Sequence, residues 1–462
     1  MNSVKIRKGI KKVIGPIFPY LPDRIRYGVH HASMVKILEE AEKWNVDQIY
    51  DYQYTKLMEL LVHCYSHVPF YKEYWDKNGV VISEIKNISE ITKLPFIDKK
   101  IIRENLSNLS ATNIKQRHKM LVTTGGSTGI PSQLYRDKRN KYDMERAFME
   151  HLWKRVGCTF KTPRLVLRGP IILTKKKWSW ISAERELICS TYHFDDNHMD
   201  TYFAKMREYN IEAIHGHVSS VVTFAQYLIR NKLFYKLKAV LGASEHVFDF
   251  QREIIKKAFG CRLYSWYGQT EQVCLGGEGI NSQDYQLFPT YGITELLDNR
   301  GNPVIVPGRV GEIVATGFMN NVMPLIRYRT GDYASYSNSG NNREENSYPK
   351  ISGVEGRSHE YVYTNTGLKI SLTGLIFGQH YKCFEKIKKM QLIQRKIGHL
   401  EILVVREENY GKKDELEIES IINKATDNGI NMKFSYTDNI PPTKRGKHLF
   451  LIQHVDSMSH PN

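Results

Sequence analysis

Apolar residues recur with helical period along Asp51–Trp75, through Leu57, Leu60, Leu61 and Cys64, and the pattern breaks at Pro69. Proline lacks a backbone N–H and clashes with the preceding turn, so a helix is predicted to stop there. Lys93-Leu94-Pro95-Phe96-Ile97-Asp98 reads as a loop feeding a helix, with Asp98 as its N-cap. Met199–Glu208 and Val218–Asn231 also carry helical period, while Arg164–Arg168 and Ala239–Leu241 lie in short apolar runs of strand type. Strands alternating with helices predict a parallel or mixed sheet with crossover helices. Residues 280–335 change character. Gly, Pro and Asn there punctuate short β-branched runs such as Val304-Ile305-Val306 and Glu312-Ile313-Val314-Ala315, a pattern that predicts antiparallel β structure. Asn338–Tyr348 is polar and predicts a surface loop. After Gly356 the pattern restarts as a small α+β unit, which sets a boundary near Arg357–Tyr361. The expected fold is α/β: a large N-terminal domain over 31–356, with mixed sheets flanked by helices plus a β-rich subdomain, and a small α+β C-terminal domain over 357–462. A basic segment, 1–30, precedes them.

Length agrees with this division, because 462 residues exceed what one hydrophobic core usually supports. Hydrophobic residues at 41% and charged residues at 25% describe a globular chain. No stretch reaches the roughly 18 uncharged apolar residues of a membrane span. The six cysteines, Cys64, Cys158, Cys189, Cys261, Cys274 and Cys383, have no C-x-x-C spacing, which suits a reducing compartment and neither a zinc site nor a disulfide framework. No apolar core of sufficient length follows the basic start, so no secretory signal is expected and the cytoplasm is the expected location.

The net charge of +17 raises affinity for anions. In the first 26 residues Lys5, Arg7, Lys8, Lys11, Lys12, Arg24 and Arg26 outweigh Asp23, and Ile6, Ile10, Val13, Ile14 and Ile17 recur at helical spacing around Pro16. Two readings stay open: a solvated basic helix packed on the body, or a segment that docks on an anionic membrane surface at the inner face. No nucleic-acid partner is expected, since no recognisable binding motif accompanies the charge.

The candidate chemistry starts at Thr123-Thr124-Gly125-Gly126-Ser127-Thr128-Gly129-Ile130-Pro131. Three glycines among hydroxyl residues make a loop whose backbone N–H groups can converge on an anion. It is not a Walker A loop, which needs a lysine after its last glycine, and the composition alone also describes an ordinary flexible loop. Further along come Ser265-Trp266-Tyr267-Gly268-Gln269-Thr270-Glu271, Arg327-Tyr328-Arg329-Thr330-Gly331-Asp332, Gly356-Arg357-Ser358-His359-Glu360-Tyr361-Val362 and Ile440-Pro441-Pro442-Thr443-Lys444-Arg445-Gly446-Lys447. In this order and spacing the set resembles the signature motifs of the adenylate-forming superfamily of acyl-CoA synthetases and adenylation domains. The finer match is to the phenylacetate–CoA-ligase-like branch and its CapK-like group, associated with polysaccharide biosynthesis. His63-Cys64-Tyr65-Ser66-His67-Val68-Pro69-Phe70-Tyr71 and Leu94-Pro95-Phe96-Ile97-Asp98-Lys99 support that branch.

The resemblance implies an ATP-dependent enzyme that activates a carboxylic acid as acyl-AMP and passes the acyl group on. Thr123, Thr124, Gly125, Gly126, Ser127, Thr128 and Gly129 would wrap the phosphates of ATP. The family often has a lysine at the position of Ile130. Tyr267 would stack on adenine beside Gly268, and Ser244 and Glu245 would also contact the nucleotide. Thr270 would offer its hydroxyl to the α-phosphate, and Glu271 would hold Mg²⁺, which suits one carboxylate plus phosphate oxygens. Asp332 would accept the ribose hydroxyls with its two oxygens, and Arg357 would reach ribose or phosphate. Glu360 stands where the family usually has the Asp or Lys of its hinge, about which the small C-terminal lid would rotate. Lys447 would be the catalytic lysine, neutralising charge as carboxylate and phosphate come together.

The acyl pocket is expected around His215, Gly216 and His217 and around Gly242, Ala243, Ser244 and His246. The histidines could bind a polar acid or be ordinary core or surface residues, and the small residues leave room for a planar acid. The acceptor stays open between CoA, the thiol of a carrier protein and the amine of a sugar nucleotide. Besides the active ligase, two readings remain: a non-catalytic nucleotide-binding scaffold of a polysaccharide-assembly complex at the membrane surface, and a basic membrane- or nucleic-acid-binding protein on this fold.

Overall fold

A computed structural model of the chain describes residues 15–123, 133–138, 141–167, 177–191, 194–243, 245, 247–338, 347–355, 361–367, 369–371, 375, 383, 386–441 and 449–455. The long helix Val46–His67 starts at a capping box in which Gln48 N donates to Asn45 Oδ1 at 2.9 Å and Asn45 N donates to Gln48 Oε1 at 3.0 Å. Leu57, Leu60, Leu61 and Cys64 lie on its buried face, as their spacing predicts. Pro69 does more than end this helix: it opens the next one, Pro69–Lys77, at the first turn, where a missing N–H costs nothing. Asp98 caps Lys99–Glu104 by accepting the Ile101 N–H at 2.8 Å.

The chain divides into two compact units. One combines Ile17–Thr159 with Ser265–Glu355. Here the end of strand Arg262–Gly268 pairs with Leu275–Glu278, followed in order by Tyr285–Leu287, Lys350–Glu355, Tyr328–Tyr336, Val310–Gly317 and Gly292–Leu297, every neighbour antiparallel. A separate hairpin joins Lys119–Thr123 to Gln133–Asp137. The core runs from the helix Val46–His67 through Trp75, Ile97 and Leu134 to Ile313 and Ile351.

The other unit is built from the described residues of Phe160–Tyr264 and Gly356–Asn462. Strands Glu186–Cys189, Arg164–Leu167, Ala213–His217 and Ala239–Ala243 are parallel, with Trp178–Ile181 antiparallel at the edge. Helix Val218–Arg230 buries Val218, Val221, Phe224, Ala225 and Leu228. In the C-terminal part, Ile387–Lys396 and His399–Arg406 are antiparallel, with Leu451–Gln453 and Asn431–Tyr436 added in parallel at their outer edges. Helix Lys412–Thr426 contributes Ile418 and Ile422 to that core. The fold is thus the expected mixed α/β architecture with a large mixed sheet and a small C-terminal α+β domain.

Three expectations need correction. Val304-Ile305-Val306 forms no strand. It lies between Pro303 and Pro307, which cannot donate to a ladder, and Ile305 is 77% exposed. Arg26 adds no surface charge, because it is only 1% exposed. Ile17, assigned to an apolar stripe, is exposed in a turn before the short 3₁₀ segment Phe18–Tyr20. Residues 1–14 and most of the Asn338–Tyr348 loop lie outside the described residues, although Tyr348 itself is buried. No helix among the described residues is long and apolar enough to cross a membrane.

Candidate active site

Strand Arg262–Gly268 runs into a tight turn, closed where Gln272 N donates to the Gln269 carbonyl at 3.2 Å. Gln272 adopts φ +59°, a conformation that residues with a Cβ rarely take, so surrounding contacts must hold it. Three side chains do so. Arg136, on strand Gln133–Asp137, donates from Nη2 to the Thr270 carbonyl. Gln272 Nε2 donates to Glu145 Oε2 of helix Lys141–Lys154 at 3.0 Å. Tyr328 donates its hydroxyl to Glu271 Oε1 at 3.1 Å. A further backbone passes close behind: a Cβ on Gly317 would stand 2.4 Å from the Gln272 carbonyl oxygen, so this position requires glycine.

The turn delivers Thr270 and Glu271 together with Tyr267. The Tyr267 hydroxyl donates to Asp332 Oδ2 at 2.8 Å and accepts from Gln269 Nε2. Asp332 reaches that position through a bulge. Glu312 pairs with Tyr333 and Val314 with Arg329, so three residues of one strand oppose Ile313 alone, and Gly331 takes φ +74° in the middle. The Asp332 N–H is satisfied by Thr330 Oγ1 at 3.0 Å. Burial, and then the Asp332 charge, hold the Tyr267 phenol well above its ordinary value, so it stays a donor.

Glu271 is 4% exposed, a buried carboxylate with a single hydroxyl donor on Oε1. Buried carboxylates are paired or ligate cations, and this one fits a Mg²⁺ ion that takes its remaining ligands from phosphate and water. Among the described residues, no group of three or more His, Cys, Asp or Glu could hold a metal ion by itself.

The branch motifs converge beside this turn through Arg327, whose role the sequence pattern did not disclose. Only 3% exposed, it pairs with Glu295 through Nε (3.0 Å) and Nη2 (2.8 Å) and donates from Nη1 to the carbonyls of Thr92 (3.0 Å) and Leu94 (2.8 Å). Its guanidinium lies 4.2 Å from the Phe96 ring centre. Ile97 exchanges backbone bonds with Arg327 and Arg329. Tyr71 donates to the Pro324 carbonyl at 3.0 Å and accepts from Ile326 N at 3.0 Å. The segments around Tyr71 and Phe96 therefore brace the strand that carries Asp332.

In the other unit, Gly216, Gly242 and Ala243 lie towards the carboxyl ends of neighbouring parallel strands, with Gly216 paired to Gly242 and His215 at the middle of its strand opposite Leu241. Open sheets of this kind bind ligands at such ends. A Cβ on Gly216 would meet Val221 Cγ2 at 2.9 Å, and one on Gly242 would meet Val218 Cγ2 at 3.0 Å, so both glycines let helix Val218–Arg230 settle on the sheet. Glu245 anchors that helix, accepting Ser219 N (2.7 Å) and Ser219 Oγ (3.0 Å). Thr123 ends strand Lys119–Thr123, and Gly268 ends strand Arg262–Gly268. Thr124, Gly125, Gly126, Ser127, Thr128, Gly129, Ser244, His246, Arg357, Glu360 and Lys447 lie outside the described residues.

Known proteins share parts of this sequence and its fold. The CapK C-terminal domain family matches residues 362–454. Protein CapK of Staphylococcus aureus is 24% identical over 444 residues, spanning 93% of this chain and 94% of its own. The phenylacetate-coenzyme A ligase of Pseudomonas putida is 23% identical over 310 residues, 66% of this chain and 70% of its own. Among solved structures, 2-hydroxyisobutyryl-CoA ligase in its postadenylation state with R3-HIB-AMP superposes with a TM-score of 0.71, covering 90% of this chain and 91% of that one. At 16% identity that likeness is one of fold. The fold is shared with an acyl-CoA ligase of known structure, and part of the sequence with phenylacetate-coenzyme A ligases. The chain is thus similar to a CapK protein over nearly its whole length and to phenylacetate-coenzyme A ligases over about two thirds of it.

Proposed function

We propose that this enzyme uses ATP and Mg²⁺ to convert a carboxylic acid into its acyl-AMP, and then passes the acyl group to a thiol, of CoA or a carrier protein, or to an amine such as that of a sugar nucleotide. The observation that carries this reading is the turn that gathers Thr270, Glu271 and Tyr267 and ties Tyr267 to Asp332. In the first step a carboxylate oxygen attacks the α-phosphorus, the bond to the bridging oxygen breaks and pyrophosphate leaves. In the second, the acceptor attacks the acyl carbonyl, the C–O bond to phosphate breaks and AMP leaves. Asp332, oriented by Tyr267, accepts from the ribose. Thr270 donates to the α-phosphate, and Lys447 neutralises the charge that builds as the acid approaches. Held by Glu271, Mg²⁺ would supply charge neutralisation at the leaving phosphates. The loop Thr123–Gly129 and Arg357 complete the nucleotide contacts, and His215, Gly216, Gly242 and Ala243 are assigned to the acid. The C-terminal domain, hinged near Glu360, moves between the two steps.

ATP–pyrophosphate exchange with a panel of aryl, amino, hydroxy and short-chain acids tests this reading. Acid-dependent exchange that collapses in Lys447→Ala supports it. No exchange with any acid, from folded protein that binds ATP, supports the scaffold reading instead.

A peripheral position on the inner face of a membrane, in surface-polysaccharide assembly, is proposed from the basic residues of 1–26. The exposure of Ile17, Tyr20, Ile25 and Val29 supports it. Co-sedimentation with anionic vesicles that survives removal of residues 1–26 would refute it.

A further inference from the structure

Arg136 is 9% exposed, and its strand neighbour two residues back, Leu134, is fully in the core. Of its guanidinium, Nη2 donates to the Thr270 carbonyl, while Nε is buried with no hydrogen-bond partner. No carboxylate lies within ion-pairing distance of it among the described residues. Burying an unpaired cation is costly, and folded proteins normally pair such a group or give it a ligand. The place matters as much as the charge. Arg136 stands five residues beyond Pro131, on the strand that follows the loop Thr123–Pro131, and that loop contains no lysine or arginine. Its guanidinium touches the turn that carries Thr270 and Glu271.

We propose that Arg136 is a phosphate-binding residue of the nucleotide site: its Nη2 fixes the Thr270–Glu271 turn while its unpartnered Nε donates to an anionic oxygen of the bound nucleotide. The inference rests on the adenylating reading above and adds a residue to it. A neutral hydrogen-bonding ligand would leave the charge unbalanced; a phosphate oxygen both neutralises the guanidinium and completes its donors.

Equilibrium binding of ATP and of adenosine, the latter by competition with a fluorescent ATP analogue, to wild type, Arg136→Gln and Arg136→Lys tests it. The expected result for Arg136→Gln is a loss of ATP affinity of about tenfold or more, the size of one charge-assisted hydrogen bond, with adenosine affinity unchanged. Arg136→Lys, which keeps the charge, should recover part of the ATP affinity. ATP and adenosine weakened equally would mean that Arg136 only holds the turn, and unchanged ATP affinity would mean that no phosphate meets it; either result overturns the proposal. If Arg136→Gln does not fold, the ATP-to-adenosine ratio of Arg136→Lys decides in the same way. A wild-type protein that binds no adenine nucleotide overturns the adenylating reading itself, and this assignment with it.

Discussion

Tyr267 and Asp332, 65 residues apart in the chain, share a 2.8 Å hydrogen bond in which the phenol donates to the carboxylate. The pairing orients the acid expected to meet the ribose by means of the aromatic expected to meet adenine. Asp332→Ala should weaken ATP binding by about tenfold to a hundredfold, the worth of hydrogen bonds to a charged group. Tyr267→Phe should cost less, since the ring remains. Isothermal titration with ATP checks both, and equal losses would mean that the hydroxyl, not the ring, carries the role of Tyr267.

The same bond sets an alkaline limit. The Tyr267 phenol is raised well above its ordinary value by burial and by Asp332, and those of Tyr71 and Tyr291 are raised mainly by burial. A raised phenol binds its proton more tightly in the folded state, so its contribution is intact below the ordinary phenol value of ~10 and is lost as pH rises above it. Melting temperature should therefore hold up to pH ~10 and then fall, less steeply in Tyr267→Phe. A Tyr267→Phe curve that tracks wild type would remove Tyr267 from that account.

Glu271→Gln should abolish Mg²⁺-dependent exchange, by at least about a hundredfold, with little loss of fold, because the amide oxygen still accepts from Tyr328. Tyr328→Phe leaves the buried carboxylate without its donor, which costs about 1–3 kcal/mol of stability. Urea unfolding of the two proteins, set beside their exchange rates, separates the roles.

Arg327→Met should destabilise by roughly 3–5 kcal/mol, because it leaves the partly buried Glu295 carboxylate without its partner. Arg327→Lys should recover little: an ammonium cannot reproduce the paired contact to Glu295 together with two carbonyl bonds. The midpoint of urea denaturation measures this, and a shift as small as that of a surface arginine would refute it.

Gly317→Ala sets a methyl group against the Gln272 carbonyl and should displace the Thr270–Glu271 turn. A stability loss of about 1–3 kcal/mol is expected, with exchange reduced beyond what the loss of folded protein explains. Exchange per folded molecule equal to wild type would show that the turn tolerates the shift.

Local physics made much of the molecule legible from sequence alone. The period of Leu57, Leu60, Leu61 and Cys64, the cap at Asp98 and the strand runs at Arg164 and Ala239 each depend on neighbours within a few residues. The motifs around Tyr267, Glu271 and Asp332 were equally readable, since their spacing is a property of the chain. Tertiary structure alone decided the rest. Whether Val304-Ile305-Val306 joined a ladder depended on its prolines and on a free edge, not on its β-branched side chains. Arg136 and Thr270 stand 134 residues apart and Arg327 and Leu94 stand 233 apart, and no local pattern records such contacts. Arg136 became a buried cation beside the candidate site and Arg327 the brace of its strand, because only folding determines which polar groups lose their water and what they meet in exchange.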